Sequence, residues 1–348
     1  MATVSHVRGM LLEEVLLHLL NGTGYRTVEA AGTDPTLTQG SAGLEVKGRG
    51  GKHQIDAIAD FQVQHPFSHK QRVLVEAKCF SPRTQVGIEI ARNAVGVLKD
   101  VNEYWVAGAA SSIAKSRYHY QYALFSATPY TVQAQRYAFA HDIYLIPVKN
   151  STYLTSTVNS IRAISSRDFG VTRAGTIPIR LSQMRRLVRE GLRSRTVPPS
   201  LDYTESLIVK LANMFQQVLA INYALLAVLG GDFPVFLVPK TVTTIEHLPS
   251  VVNVRIRWVA TNWYLDDLND QRLFSFDLPP ELFELYAEAG ELSRERALNL
   301  KQEHLRSFYA FRTIGNEVRV IRFQLDMPWI YAIRERRQNA SPNDAARG

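Results

Sequence analysis

The sequence predicts an α/β protein with two domains. The chain has 348 residues, which is enough for two domains of about 100–200 residues each. Helical and strand patterns alternate up to about residue 150, and the pattern changes beyond a Pro-rich connector near residue 200. We therefore expect a first domain over 1–150, a linker with a basic helix over 151–200, an α+β domain over 201–335 and a flexible tail over 336–348.

In the first domain the pattern predicts the element order αβββαβαβ, a mixed sheet with helices on its faces. Leucines at helical spacing predict a first helix that Asn21-Gly22 ends, and a loop rich in Gly, Thr and Ser fills residues 32–52. The predicted elements are a helix over 7–20, strands over 25–31, 53–63 and 72–80, a helix over 84–105, a strand over 120–130, a helix over 131–142 and a strand over 143–148.

In the C-terminal half the sequence predicts one long buried helix and several strands. Residues 207–231 are the most apolar stretch of the chain, but Lys210, Asn213 and Gln216 within it favour a core helix over a membrane span. Strands are expected at 233–239, 251–260 and 317–325. We expect no membrane partner, and a homo-oligomer, a dimer or larger, as the assembly.

The charge balance and the cysteine count restrict the class of protein. The chain has 40 Lys and Arg against 32 Asp and Glu, a formal charge of +8, which favours a polyanionic partner. Its single cysteine, Cys79, excludes an intrachain disulfide and a Cys-based zinc site, and this fits a reducing cytoplasm. Glu13 and Glu14 interrupt the apolar N-terminal run, so we predict no signal peptide.

Charged residues lie within two strands that are expected to be buried. Glu76 and Lys78 are two residues apart in one strand and therefore share a face, and Asp56 lies in the preceding strand. If the two strands pair, the carboxylates of Asp56 and Glu76 meet and repel, a cost that a hard divalent cation relieves. We predict a Mg²⁺ site made by Asp56, Glu76 and the Ala77 carbonyl, with Mn²⁺ as a substitute and Lys78 beside it.

The two segments that carry these residues resemble a known bipartite motif. "QID" at 54–56 followed by "VEAK" at 75–78 is similar to the motif of the PD-(D/E)xK nuclease superfamily, most closely its Mrr-type restriction endonucleases. Ile55 stands where the superfamily has proline. The resemblance covers about residues 7–148 and implies a restriction-endonuclease-like core.

Two helices extend this resemblance. "LLEEVLLHLLNGTGYRTVE" is similar to the family's opening helix, which implies a site role for Glu13 more than for Glu14. "QVGIEIARNAVGVL" is similar to the helix after the second motif strand, where Arg92 matches a polar residue that faces the site. The implied catalytic set is Asp56, Glu76, Lys78, Glu13 and Arg92.

The resemblance implies a Mg²⁺-dependent endonuclease that hydrolyses DNA phosphodiester bonds in bacterial or phage-related defence. Two alternatives stay open: a catalytically silent nucleic-acid-binding or scaffold protein on the same fold, and an RNA nuclease. The C-terminal domain is expected to recognise, regulate or oligomerise.

Two basic segments are candidates for DNA contacts. Arg49 and Lys52 flank Gly50-Gly51, whose backbone amides are able to approach a phosphate, although a flexible loop also explains them. Arg185, Arg189 and Arg193 recur at i, i+4 and i+8 and form one ridge on the basic helix. This ridge is either a set of phosphate contacts or the solvated face of a helix.

Overall fold

The computed structural model describes most of the chain. The described residues are 2–40, 43–64, 66–104, 118–148, 151, 153–171, 176–194, 196–198, 203–219, 221–230, 233–241, 245, 247–259, 262–279, 282, 287–288, 291–292 and 294–338. Most of the tail predicted over 336–348 lies outside them.

Two compact units make up the described chain. Unit 1 comprises Met1–Ala224 with Arg312–Arg319, and unit 2 comprises Leu225–Phe311 with Val320–Gly348. The helices are α1 (Val4–Asn21), α2 (Ile88–Glu103), α3 (Val132–Phe139), α4 (Thr155–Ala163), α5 (Leu181–Ser194), α6 (Glu205–Leu219), α7 (Arg294–His304) and α8 (Met327–Gln338).

The strands of unit 1 are β1 (Ala2–Thr3), β2 (Tyr25–Thr27), β3 (Leu37–Gln39), β4 (Leu44–Lys47), β5 (Lys52–Gln54), β6 (Ala57–Phe61), β7 (Lys70–Lys78), β8 (Tyr118–Ser126), β9 (Ile143–Pro147) and β10 (Thr176–Ile177). Those that follow are β11 (Leu225–Leu229), β12 (Phe233–Pro239), β13 (Val251–Val259), β14 (Asn262–Asp266), β15 (Arg272–Phe276), β16 (Ala287–Glu288), β17 (Glu291–Leu292), β18 (Ser307–Ile314) and β19 (Glu317–Leu325).

A five-stranded mixed sheet forms the centre of unit 1. Its strand order is β2-β6-β7-β8-β9, antiparallel from β2 to β7 and parallel from β7 to β9. Helix α1 precedes these strands in the chain, α2 lies between β7 and β8, and α3 lies between β8 and β9, so the sheet and its helices follow the order αβββαβαβ. The predicted α/β class is confirmed.

The segment predicted as a loop over 32–52 contains most of a second sheet. Strands β3, β4 and β5 form an antiparallel sheet, in which Leu37 and Val46 are buried. The predicted strand over 53–63 is two strands, because the chain passes from this small sheet to the central sheet at Ile55 and Asp56. The first half of the bipartite motif therefore lies at the junction of two sheets.

Helix α1 is buried on most of its sides. Thr3 caps its start, where the Thr3 hydroxyl accepts a hydrogen bond from the His6 amide at 3.3 Å and the His6 imidazole accepts one from the Thr3 amide at 3.2 Å. Glu14 is only 1% exposed. A buried carboxylate needs a partner of opposite charge. The partners of Glu14 are Arg185 and Arg189 on α5, which lies outside the predicted first domain.

Residues 151–200 differ from the linker that the sequence suggested, because they contain helices that complete unit 1. Helix α5 packs on α1 through its buried residues Met184, Val188 and Leu192. Helix α4 packs against α6, so α6 also belongs to unit 1 rather than to a domain that begins at 201.

Unit 2 is built on a closed barrel. Its seven strands follow the order β11-β12-β15-β14-β13-β19-β18. The β13–β19 pair is parallel, and the β11–β12, β12–β15, β14–β15, β13–β14 and β11–β18 pairs are antiparallel. The interior is rich in aromatic side chains, including Trp263, Phe274 and Phe323. The strands predicted at 233–239, 251–260 and 317–325 are present, but their closure into a barrel was not predicted.

The apolar stretch over 207–231 is not one helix. It divides into α6, a short turn and the barrel strand β11. Within the described part of the chain, no helix has the length and apolar character needed to cross a membrane.

Candidate active site

Strand pairing brings Asp56 and Glu76 together. The antiparallel register of β6 and β7 pairs Ala57 with Val75, and one further step places Asp56 opposite Glu76. The Asp56 carboxylate is fixed there because its Oδ2 accepts a hydrogen bond from the Ala77 amide at 2.9 Å. Burial raises the pKa of Asp56, and this amide and the charge of Lys78 partly offset the rise.

Glu76 contacts two donors. The Lys78 ammonium lies 2.5 Å from Glu76 Oε1, and the Tyr122 hydroxyl donates to Glu76 Oε2 at 2.6 Å. Burial raises the pKa of Tyr122 well above its usual range, and the charge of Glu76 adds to this. The phenol therefore stays protonated and acts only as a donor to Glu76.

Glu13 approaches the same pair of strands from α1. Burial and the negative charge of Asp56 raise the pKa of Glu13 to about 7, and the guanidinium of Arg185 partly offsets the rise. Glu13 is therefore near enough to Asp56 for the two charges to interact. A carboxyl group with a pKa near 7 is able to exchange a proton at neutral pH.

Asp56, Glu76 and Tyr122 border a polar groove of about 260 Å³. The groove is lined by Lys52, His53, Gln54, Ile55, Asp56, Glu76, Asn93, Val97 and Tyr122. Strand β5, the junction between β5 and β6, β7, α2 and β8 each contribute to it, so the groove forms only when both sheets are assembled.

The donor set fits a hard cation that keeps several waters. Asp56 and Glu76 offer carboxylate oxygens side by side, which Mg²⁺ and Mn²⁺ prefer over nitrogen or sulfur ligands. In the described ranges, no group of three or more His, Cys, Asp and Glu side chains forms a ready metal cage. Two carboxylates in an open groove are sufficient for Mg²⁺, which is usually bound by one or two carboxylates together with phosphate and water. Ala77 was predicted to contribute its carbonyl to the metal site; the contact that the structure shows is the hydrogen bond from the Ala77 amide to Asp56.

Arg92, which was predicted to face the site, is not among the residues that line the groove. Arg92 is exposed, and its guanidinium lies 5.8 Å from the ring centroid of Tyr137 on α3. Asn93 lines the groove instead. Successive residues of a helix differ by about 100° around its axis, so an error of one position changes the face.

The three arginines of the predicted phosphate-binding ridge are all in ion pairs. Arg185 contacts Glu13 at 2.7 Å. Arg189 contacts Glu14 at 2.5 Å, and Arg193 contacts Glu29 at 2.8 Å. This ridge therefore faces acidic residues of unit 1, namely Glu13 and Glu14 on α1 and the more exposed Glu29.

Arg49 and Lys52 lie on the β4–β5 hairpin, which is attached to the end of α2. Asp100 accepts hydrogen bonds from the Gly50 amide at 2.7 Å and from His53 Nε2 at 2.7 Å, so the hairpin is anchored rather than a free loop. Arg49 pairs with Glu103 at 3.1 Å. Lys52 is exposed and lines the groove.

Tyr122 and Asn93 were missed as members of the site, and Arg185 was predicted as a DNA contact rather than as the partner of Glu13. Tyr122 lies 46 residues after its partner Glu76, and the alternation of β8 alone does not distinguish it from the other tyrosines of that strand. These residues could have been found only by knowing which face of its helix or strand each residue occupies.

Comparisons with known proteins add little to this geometry. No protein-family model matches the chain, and no curated protein matches it. The chain is similar to the crystal structure of AF1548, a protein of unknown function, with 15% sequence identity and a TM-score of 0.33. The likeness covers 61% of this chain and 97% of that chain. At this TM-score the likeness supports no argument about fold or function.

Proposed function

We propose that the chain is a Mg²⁺-dependent DNA endonuclease whose unit 1 has the core of the PD-(D/E)xK nucleases. The observation that carries the proposal is the meeting of Asp56 and Glu76 across two paired strands, with Lys78 on Glu76. The resemblance of "QID" and "VEAK" to the family's motif falls on these same three residues.

Asp56 and Glu76 would hold the ion. When bound, Mg²⁺ lowers the pKa of a coordinated water and neutralises charge that develops on a phosphodiester. The Ala77 amide keeps Asp56 oriented, and Tyr122 keeps Glu76 oriented, so neither ligand must reorganise when DNA arrives.

Lys78 and Glu13 supply the remaining chemistry. The Lys78 ammonium lies close enough to Glu76 to donate to a phosphate oxygen or to orient the attacking water at the same place. Glu13, whose pKa is raised to about 7, is able to accept a proton from water near neutral pH.

Replacing Asp56 tests the proposal directly. Asp56→Asn removes one ligand charge with little change of shape, and we expect plasmid nicking in Mg²⁺ or Mn²⁺ to fall by at least roughly 100-fold. The control is Asp142→Asn, the same chemical change in an exposed turn with positive φ, where Asn is well tolerated. Equal nicking by the parent and by Asp56→Asn would refute the assignment.

Two further measurements separate the alternatives. Calorimetric titration with Mn²⁺ that shows binding without cleavage of any substrate would favour a catalytically silent protein. Parallel assays on DNA and RNA of the same sequence would identify an RNA nuclease. A role in restricting foreign DNA is part of the proposal and is supported by the resemblance alone.

A further inference from the structure

A second cleft of unit 1 lies between α1, β2, α5 and the turn that follows α6. Its volume is about 570 Å³, which is within the range of roughly 300–1,000 Å³ that small-molecule sites occupy. Its lining includes His18, Arg26, Glu29, Leu192, Arg193 and Asn222, and we call it the α1–α5 cleft. None of the residues that line it also lines the groove at Asp56 and Glu76, so the two cavities are separate.

The charged side chains of the α1–α5 cleft favour an anion. Arg26 and Arg193 line it together with one acid, Glu29. The Glu29 carboxylate is already neutralised, because it pairs with Arg193 at 2.8 Å and with Arg189 at 3.3 Å. Arg26 is exposed on β2 and forms no ion pair within the described part of the chain. Its guanidinium is therefore available to bind a phosphate through two parallel N–H groups.

Another wall of the cleft supplies a side-chain amide and apolar surface. His18 Nε2 donates to Asn222 Oδ1 at 2.5 Å, which fixes the amide and leaves its nitrogen as a donor. Side-chain amides of this kind pair with the polar edges of nucleobases. Leu192 and Ile221 are apolar members of the same lining, against which a flat ring is able to pack.

We propose that the α1–α5 cleft binds a mononucleotide. Its phosphate would lie on Arg26 and Arg193, and its base would lie against Leu192 with a polar edge at Asn222. This site needs no metal ion and is independent of the proposed nuclease function. It gives unit 1 a second ligand, separate from the DNA that the groove would bind.

The test is calorimetric titration of the full-length protein with the four ribonucleoside 5′-monophosphates. The buffer contains EDTA, so metal-dependent binding at the groove does not contribute. We expect one of the four to bind at one per chain with a Kd below about 1 mM, and inorganic phosphate to bind at least about 10-fold more weakly. Arg26→Gln should weaken the nucleotide by about 10-fold or more. The matched control is Arg136→Gln, an exposed arginine on α3 that does not line the cleft, and it should bind as the parent does.

Asn222→Ala tests the recognition of the base, and we expect it to reduce the differences in affinity among the four nucleotides. The parent titration alone is able to overturn the proposal: either no nucleotide binds below about 1 mM, or inorganic phosphate binds as tightly as the nucleotides do. Equal binding by Arg26→Gln and Arg136→Gln would also overturn it. DNA nicking that depends on Asp56 is a separate measurement, so either proposal is able to fail while the other stands.

Discussion

Glu76 is held from two sides, by Lys78 on one carboxylate oxygen and by Tyr122 on the other. A hydrogen bond to a charged group contributes about 1.5–3 kcal/mol, so the tyrosine hydroxyl is a substantial constraint on the direction in which Glu76 points. We therefore expect the Tyr122 hydroxyl to fix the orientation in which the Glu76 carboxylate would bind the metal ion.

Removing one hydroxyl tests that control. We expect Tyr122→Phe to lower the rate of DNA nicking by about 10- to 100-fold, because a freely rotating Glu76 must be ordered in each turnover. Tyr120→Phe is the matched control, since Tyr120 lies on the same strand but does not line the groove. Equal rates for the two variants would show that Tyr122 is only a packing residue.

At the scale of elements, the β4–β5 hairpin is held against α2 by one carboxylate. Asp100 binds the hairpin through Gly50 and His53, and its pKa is lowered by the hydrogen bond from His53 and by the Gly50 amide. The hairpin carries Lys52 to the groove. The hydrogen bonds of Asp100 therefore hold Lys52, a proposed DNA contact, in place relative to the end of α2.

The space at Gly48 makes this attachment testable. A Cβ at Gly48 would lie 1.9 Å from Asp100 Oδ2, whereas a Cβ at Gly51 would meet nothing within 4 Å. We expect Gly48→Ala to displace the Asp100 carboxylate, to lower the free energy of unfolding by about 1–3 kcal/mol and to weaken DNA binding. Chemical denaturation and a DNA-binding assay on both variants decide this, and similar behaviour of Gly48→Ala and Gly51→Ala would contradict it.

Helix α6 is held in unit 1 by a buried carboxylate in the segment before it. Asp168, whose side chain is 3% exposed, accepts hydrogen bonds from Lys210 at 2.7 Å and from Ser206 at 2.5 Å. Burial acts to raise the pKa of Asp168, but the hydrogen bonds from Lys210 and Ser206 lower it to about 2. This contact, together with the packing of α4 against α6, attaches α6 to unit 1.

The same contact predicts a dependence on pH. The folded pKa of Asp168, about 2, lies below its ordinary value of 3.8, so its stabilising effect is fully present above pH 4 and is lost as the pH falls towards 2. We expect Asp168→Asn to cost roughly 2 kcal/mol of unfolding free energy at pH 7 and little near pH 2. Denaturant titrations of parent and variant at several pH values check this, and a difference that does not change with pH would contradict it.

At the scale of the whole molecule, unit 1 needs helices from well beyond residue 150. Helix α1 is buried on most sides, and α5 covers it with apolar residues and with the cations for Glu13 and Glu14. Some of the excess basic residues therefore form ion pairs inside unit 1, and these are not available to bind a polyanion.

Truncation tests this dependence. A fragment of residues 1–150 lacks α4, α5 and α6, so we expect it to aggregate and to bind a hydrophobic dye, because the apolar sides of α1 and two carboxylates lose their partners. A fragment of residues 1–224 retains these helices and should unfold cooperatively. Monomeric behaviour and cooperative unfolding of the 1–150 fragment would show that the short domain is complete.

The sequence by itself determined the α/β class, the order of the central-sheet elements in the first 150 residues and the meeting of Asp56, Glu76 and Lys78. These features follow from local rules: helical and strand periods, and the alternation of side chains along neighbouring strands joined by a short connection. Only the tertiary structure decided that Arg185 binds Glu13, that Tyr122 holds Glu76, that Asn93 rather than Arg92 faces the groove, and that the later strands close into a barrel. Each of these depends on contacts between residues far apart in the chain or on the rotational phase of a helix, and neither is encoded in a short window of sequence.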